Sequence, residues 1–144
     1  MLLGLASIAL VGCSTTYDSR LNGSWRSNRE ETVAEAFRQD PRWLQAPHEK
    51  VERFKDLFGN MTVTYSNSVI TTSSNGNLDT MHYEVVKLGE DFVVIRTKEG
   101  VFRDKNMRID FAADGGGYWI DNFGILPREK FDKVSAEPDS GGNR

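Results

Sequence analysis

From residue 61 to residue 134 apolar and polar positions alternate in short runs broken by polar or glycine-bearing gaps. In Met61-Thr62-Val63-Thr64-Tyr65 the three larger side chains share one face and the two threonines the other, the mark of a half-buried strand. The same period predicts strands over 68–73, 81–85, 92–97, 107–111, 118–120 and 128–134, with Met107, Ile109 and Phe111 facing inward. Asn75-Gly76 supplies the positive-φ pair of a tight hairpin, and the chain reverses at Ser66-Asn67, at 89–91, at Glu99-Gly100 and at 114–117. An earlier strand is expected over 21–25, where Gly23-Ser24-Trp25 places a large aromatic at one end of a core. Short strands with turn signals at roughly 8–12-residue spacing read as mainly β. The expected form is an antiparallel barrel or strongly curled sheet of about eight strands, since closure removes exposed edges.

Between Ser27 and Gly59 the period changes to that of a helix. Two overlapping capping-box spacings, Ser27 to Glu30 and Asn28 to Glu31, announce a helix start, Val33 and Phe37 give it an apolar face, and Asp40-Pro41 ends it. A second helix opens near Pro47, carries Val51, Phe54, Leu57 and Phe58 at three- and four-residue steps, and closes at Gly59-Asn60. The insertion spans 28–58. Its alternating charges, with Glu49 placed to meet Arg53, read as a solvated outer face. Helices this short fold by laying an apolar side on something else.

Ahead of the domain lies an uncharged apolar run, residues 1–12, ending in Leu10-Val11-Gly12-Cys13. A membrane-crossing helix needs about 20 apolar residues, so the run is too short to span and has the length of a secretory h-region instead. Cys13 is the chain's one cysteine, which excludes an internal disulfide. A formal net charge of −3 gives no basic footprint, so nucleic acid is not an expected partner. Residues 21–134 are long enough for one domain with its own core, 13–20 form a polar tether, and 135–144 have the composition of a disordered tail.

No constellation calls for catalysis or a cofactor. The two histidines, His48 and His82, lack ligand spacing and have no second cysteine beside them, so no metal is expected. Serines fall in polar turns without a nucleophile elbow, Ser24 included, and Asp114 to Gly117 lacks the lysine and hydroxyl of a phosphate loop. Asp110 and Glu84 both fall on the polar parity of their strands, where solvated carboxylates are expected.

Two resemblances add a location and a fold family. A small residue before Cys13 and Leu10 three positions before it resemble the lipobox of bacterial lipoproteins, although no Lys or Arg precedes the run. The resemblance implies cleavage between Gly12 and Cys13, a diacylglyceryl group on the Cys13 thiol and acylation of the new amino terminus. Because Ser14, not Asp, follows the cysteine, it further implies the periplasmic face of the outer membrane in a double-membrane host. Gly23-Ser24-Trp25, the hairpin-linked strands and the ending Tyr118-Trp119-Ile120 with Arg128 to Val134 are similar to the lipocalin-like domains of small bacterial lipoproteins. There, Trp25 would close one end of the barrel and Arg128 would pack against it, while the inserted helices would cover a mouth.

Two uses follow. An inward stripe of Trp25, Tyr65, Tyr83, Ile95, Phe111 and Trp119 would line a cavity for a small apolar or amphipathic ligand. Alternatively the interior is filled, and Phe123, Ile125 and Leu126, on the loop 121–127, would bind a periplasmic protein. A hydrolase is the residual reading.

Overall fold

The alternating half of the chain does close on itself. The computed structural model describes residues 16–121 and 127–135. The strands are β1 (Gly23–Ser27), β2 (Met61–Ser66), β3 (Val69–Ser74), β4 (Asn77–Leu88), β5 (Phe92–Thr97), β6 (Asn106–Phe111), β7 (Gly117–Ile120) and β8 (Glu129–Lys133). Each is antiparallel to its sequence neighbours and β1 also pairs with β8, giving an eight-stranded closed barrel with a helical pair inserted after the first strand. Cys13, Phe123, Ile125 and Leu126 lie outside the described residues.

Register fixes which side chains enter the barrel. Val63 stands opposite Trp25, Ile95 opposite Val85, and Phe131 opposite Tyr118, so these pairs share the inner face. With Tyr65, Ile70, Tyr83, Val93 and Ile109 they form one continuous core. The first strand begins two residues later than its sequence pattern suggests, because 19–21 form a 3₁₀ turn instead. Gly23, at φ 118°, lets the chain swing from that turn into β1, a conformation that side chains rarely adopt. The third hairpin strand is longer than expected, since β4 runs on to Leu88 past a bulge between Val85 and Lys87.

One end of the barrel is sealed. Leu21 is fully buried there, and the Trp25 indole donates to its carbonyl at 2.6 Å. Arg20 straps the seal in place. Its guanidinium donates to both Asp18 carboxylate oxygens, to Glu90 O at 2.6 Å and to Phe92 O at 3.2 Å, and it lies 4.4 Å from the Phe111 ring centroid. The position expected of Arg128 is held by another cation: Lys133 Nζ sits 5.5 Å from the Trp25 ring, because Lys133 and Trp25 are direct cross-strand partners.

The insertion leaves from the opposite end. Asn28, not Ser27, caps α1 (Arg29–Gln39), its side-chain oxygen accepting from Glu31 N at 2.9 Å. Ser27 is still strand and is buried. After Asp40 the chain continues as a 3₁₀ helix, Pro41–Gln45, before α2 (His48–Lys55), which stops short of Gly59-Asn60. Val33, Ala36, Phe54 and Phe58 form a second core, with Phe37 and Trp43 packed against it. Trp43 stacks on Phe54 with centroids 4.2 Å apart. Leu57 lies 60% exposed, outside this core, because α2 ends at Lys55 and the chain turns before the helical period reaches it. Glu49 and Arg53 approach to 3.9 Å on the solvent side, a pair worth little to stability. No helix among the described residues is long and apolar enough to cross a membrane.

What ties insertion to barrel is backbone chemistry at β8. Asn28 N donates to Lys130 O at 2.8 Å, and Lys130 N donates to the fully buried Thr32 hydroxyl at 2.9 Å. The first turn of α1 thus continues the hydrogen bonding that β1 drops at Ser27, and Lys130 Nζ pairs with Glu31 and Asp132 beside it. Thr32→Val, which keeps the shape and removes the acceptor, is therefore expected to destabilise the protein by about 1–3 kcal/mol, the cost of a stranded buried N–H. Thr32→Ser should recover most of the loss in urea unfolding.

Candidate functional site

The lower half of the barrel is filled by aromatic rings. Trp25 and Tyr118 meet at 4.9 Å, Tyr118 stacks on Phe131 at 5.3 Å, and Tyr65 meets Tyr83 edge-on at 5.9 Å. Above this floor, toward the end where the insertion departs, the interior opens into a cavity of about 250 Å³. Val63, Tyr65, Ile70, Tyr118 and Phe131 form its base and walls, with Met61, Met81, Met107 and Ile120 higher up. Val101 and Phe102, from the β5–β6 loop, stand at the mouth, and Val101 is 91% exposed. That loop is held by Thr97, whose buried hydroxyl donates to Phe102 O at 2.9 Å.

The six residues expected to line a cavity are thus only partly brought together. Tyr65 does line it. Trp25, Tyr83 and Ile95 point inward and are buried in the core, but they do not line the cavity. Phe111 also packs on the core, at the sealed end under Arg20. Trp119 belongs to the outer wall: Tyr118 stands opposite Phe131 and Ile120 opposite Glu129, which turns the intervening Trp119 outward beside Lys130. There Arg128 and Lys130 lie 5.5 and 5.8 Å from its ring. A three-residue apolar run has no alternation to fix its phase, and pairing with β8 chooses the phase instead.

The insertion does not reach the interior, since the cavity is lined by strands and the β5–β6 loop. The helices therefore do not fill the cavity. Their apolar faces are spent on each other.

Apart from Tyr65, the lining residues were not among those expected to line a cavity, and one of them carries a buried carboxyl. Glu129 is 8% exposed and lines the cavity, two positions from Phe131 and so on the same inner face. Its Oε1 accepts from Ser27 Oγ, which itself accepts from Gly59 N at 2.8 Å, so the carboxylate braces the two ends of the insertion. The signal was present in the alternation of Glu129, Phe131 and Lys133, read together with Trp25 as a partner.

Polar chemistry elsewhere lies on the outer wall. Glu84 is paired with Arg96 and Lys98, and Asp110 with Arg108 and Arg128; β5 separates the two carboxylates. His82 faces Glu99, whose carboxyl is held below its usual range by hydrogen bonds from the His82 backbone and ring. Inside, the hydroxyls of Tyr65 and Tyr118 lie 3.3 Å apart. Burial pushes both phenols above the ordinary tyrosine range, and for Tyr118 its neighbour Tyr65 and then Glu129 add to the effect.

The folded state therefore holds these phenolic protons more tightly than the unfolded chain, whose tyrosines titrate at about 10. Their contribution to stability is complete below that pH and is lost as pH rises through the raised folded values. An alkaline titration should show phenolate absorbance from Tyr65 and Tyr118 appearing together with loss of the barrel's circular dichroism, and Tyr65→Phe should leave one fewer phenol in that late step. No protein-family model matches the chain, and no curated protein matches it.

Proposed function

We propose that the protein is a lipid-anchored cell-envelope lipoprotein, similar to the lipocalin-like ones, whose barrel binds a small apolar or amphipathic molecule without chemical turnover. The anchor reading rests on the lipobox-like Leu10-Val11-Gly12-Cys13, and the periplasmic face of the outer membrane follows from Ser14. The binding reading is carried by one observation: the cavity of about 250 Å³ above a closed aromatic floor. At interior packing density such a space holds on the order of ten non-hydrogen atoms. That is somewhat below the usual range of ligand pockets, which run from about 300 Å³ upward.

Three of the chain's four methionines line the cavity. Their flexible thioethers accommodate varied apolar shapes, and they supply the readout. With methyl-labelled methionine, 1-hexanol should shift the methyl resonances of Met61, Met81 and Met107 saturably. Met81→Trp should abolish the effect while thermal unfolding remains cooperative. A wild-type titration in which those three methyls do not respond would remove the binding reading. For the anchor, a clickable palmitate analogue should label the full chain in a lipoprotein-processing host and fail to label Cys13→Ser.

A further inference from the structure

The chain enters the barrel at its sealed end and is pinned there. Asp18 is buried, its backbone N–H donates to the Tyr83 hydroxyl at 3.4 Å, and its carboxylate is clamped by Arg20, which also donates to Glu90 O and Phe92 O. Cys13 precedes Asp18 by five positions. At about 3.3–3.6 Å per residue, their Cα atoms can be no more than about 18 Å apart, whatever path the intervening residues take. The barrel is longer than that. β4 (Asn77–Leu88) runs from the open end to the sealed one in eleven steps of about 3.3 Å, which at a tilt of about 40° gives an axial length of about 28 Å.

Exposed apolar side chains stand at both ends. Leu78, Val101 and Phe102 belong to the open rim, and Tyr17, Val86, Leu88 and Val134 to the sealed one. Apolarity therefore does not choose between the two ends, and chain reach does. We propose, resting on the anchor reading above, that the sealed rim, with Tyr17, Leu88 and Val134, is the face that lies on the lipid surface, and that the cavity opens away from it. With Cys13 acylated and held at the headgroups, a barrel standing mouth-down would lift Asp18 about 28 Å above the lipid, about 10 Å beyond the reach of the tether. Tyr17 suits the boundary, having an apolar ring and a polar tip. Charges at this rim are mixed, Lys87 and Lys133 standing near Glu90, Asp91 and Asp114, so the contact rests on the anchor and the apolar side chains. An occupant of the cavity then arrives through water or from a carrier protein, and not sideways out of the membrane that holds the barrel.

In the acylated chain Cys13, the one native cysteine, carries the lipid, so Leu88→Cys and Val101→Cys can each be labelled singly with a fluorophore. Both positions are exposed, and neither change disturbs the core. The two acylated proteins, made in a lipoprotein-processing host, are reconstituted into vesicles of phosphatidylethanolamine and phosphatidylglycerol that contain a lipid with a nitroxide on its headgroup. The label at position 88 should lose most of its emission, and the label at position 101 should keep it. Quenching at position 101 equal to or greater than that at position 88, on protein that floats with the vesicles, overturns the proposed face and leaves the anchor standing. A chain whose Cys13 thiol stays reactive and which does not float removes the anchor, and the proposal with it.

Discussion

Closure of the backbone ladder between β1 and β8 is the constraint on which the rest of the molecule depends. Trp25, Arg26 and Ser27 pair with Lys133, Asp132 and Phe131, and these few residues turn a meander with two raw edges into a ring without any. Closure fixes the phase of β8, and through β8 that of β7, so it decides that Tyr118, Phe131 and Glu129 face inward while Trp119 and Lys130 face out. It also fixes where the helices attach. Beyond Ser27 the pairing groups of β8 are satisfied by Asn28 and Thr32, the first turn of α1.

The two ends of the ring are built differently, and the difference carries the functional argument. At one end the chain folds back on itself before β1 begins, and Leu21, Trp25 and the Asp18–Arg20 pair close the opening with both apolar bulk and directed hydrogen bonds. At the other end the long excursion between β1 and β2 keeps its aromatic residues for its own core, leaving the upper interior with no helical side chain to fill it. Ser27, held between Glu129 and Gly59, makes the same carboxylate both a brace for the excursion and a wall of the cavity.

Much of this architecture was legible from residue pattern alone, for stated physical reasons. Strict alternation over 61–65 and 107–111 places side chains by parity, and the structure keeps that parity. Asn75-Gly76 turns as its backbone freedom demands, both residues having positive φ. What alternation does not encode is depth along the barrel axis. Trp25, Tyr83 and Ile95 face inward as their parity requires, yet none of them lines the cavity, although Val63 opposite Trp25 and Met107 opposite Ile95 both do. Trp119 and Glu129 show the second gap: where a strand is short or its polar residue faces in, the inner face is decided by the neighbouring strand.

The methionine wall has a consequence for the shape of the chamber. A barrel's girth is dictated by strand number and stagger, and its hydrogen-bonded frame cannot swell to suit an occupant. Where unbranched thioethers form part of a chamber's wall, however, that part of its outline is a matter of torsional settings. The frame is rigid and the upholstery is not. That part of the outline can therefore change by rotation about single bonds, without disturbing a single rung of the ladder.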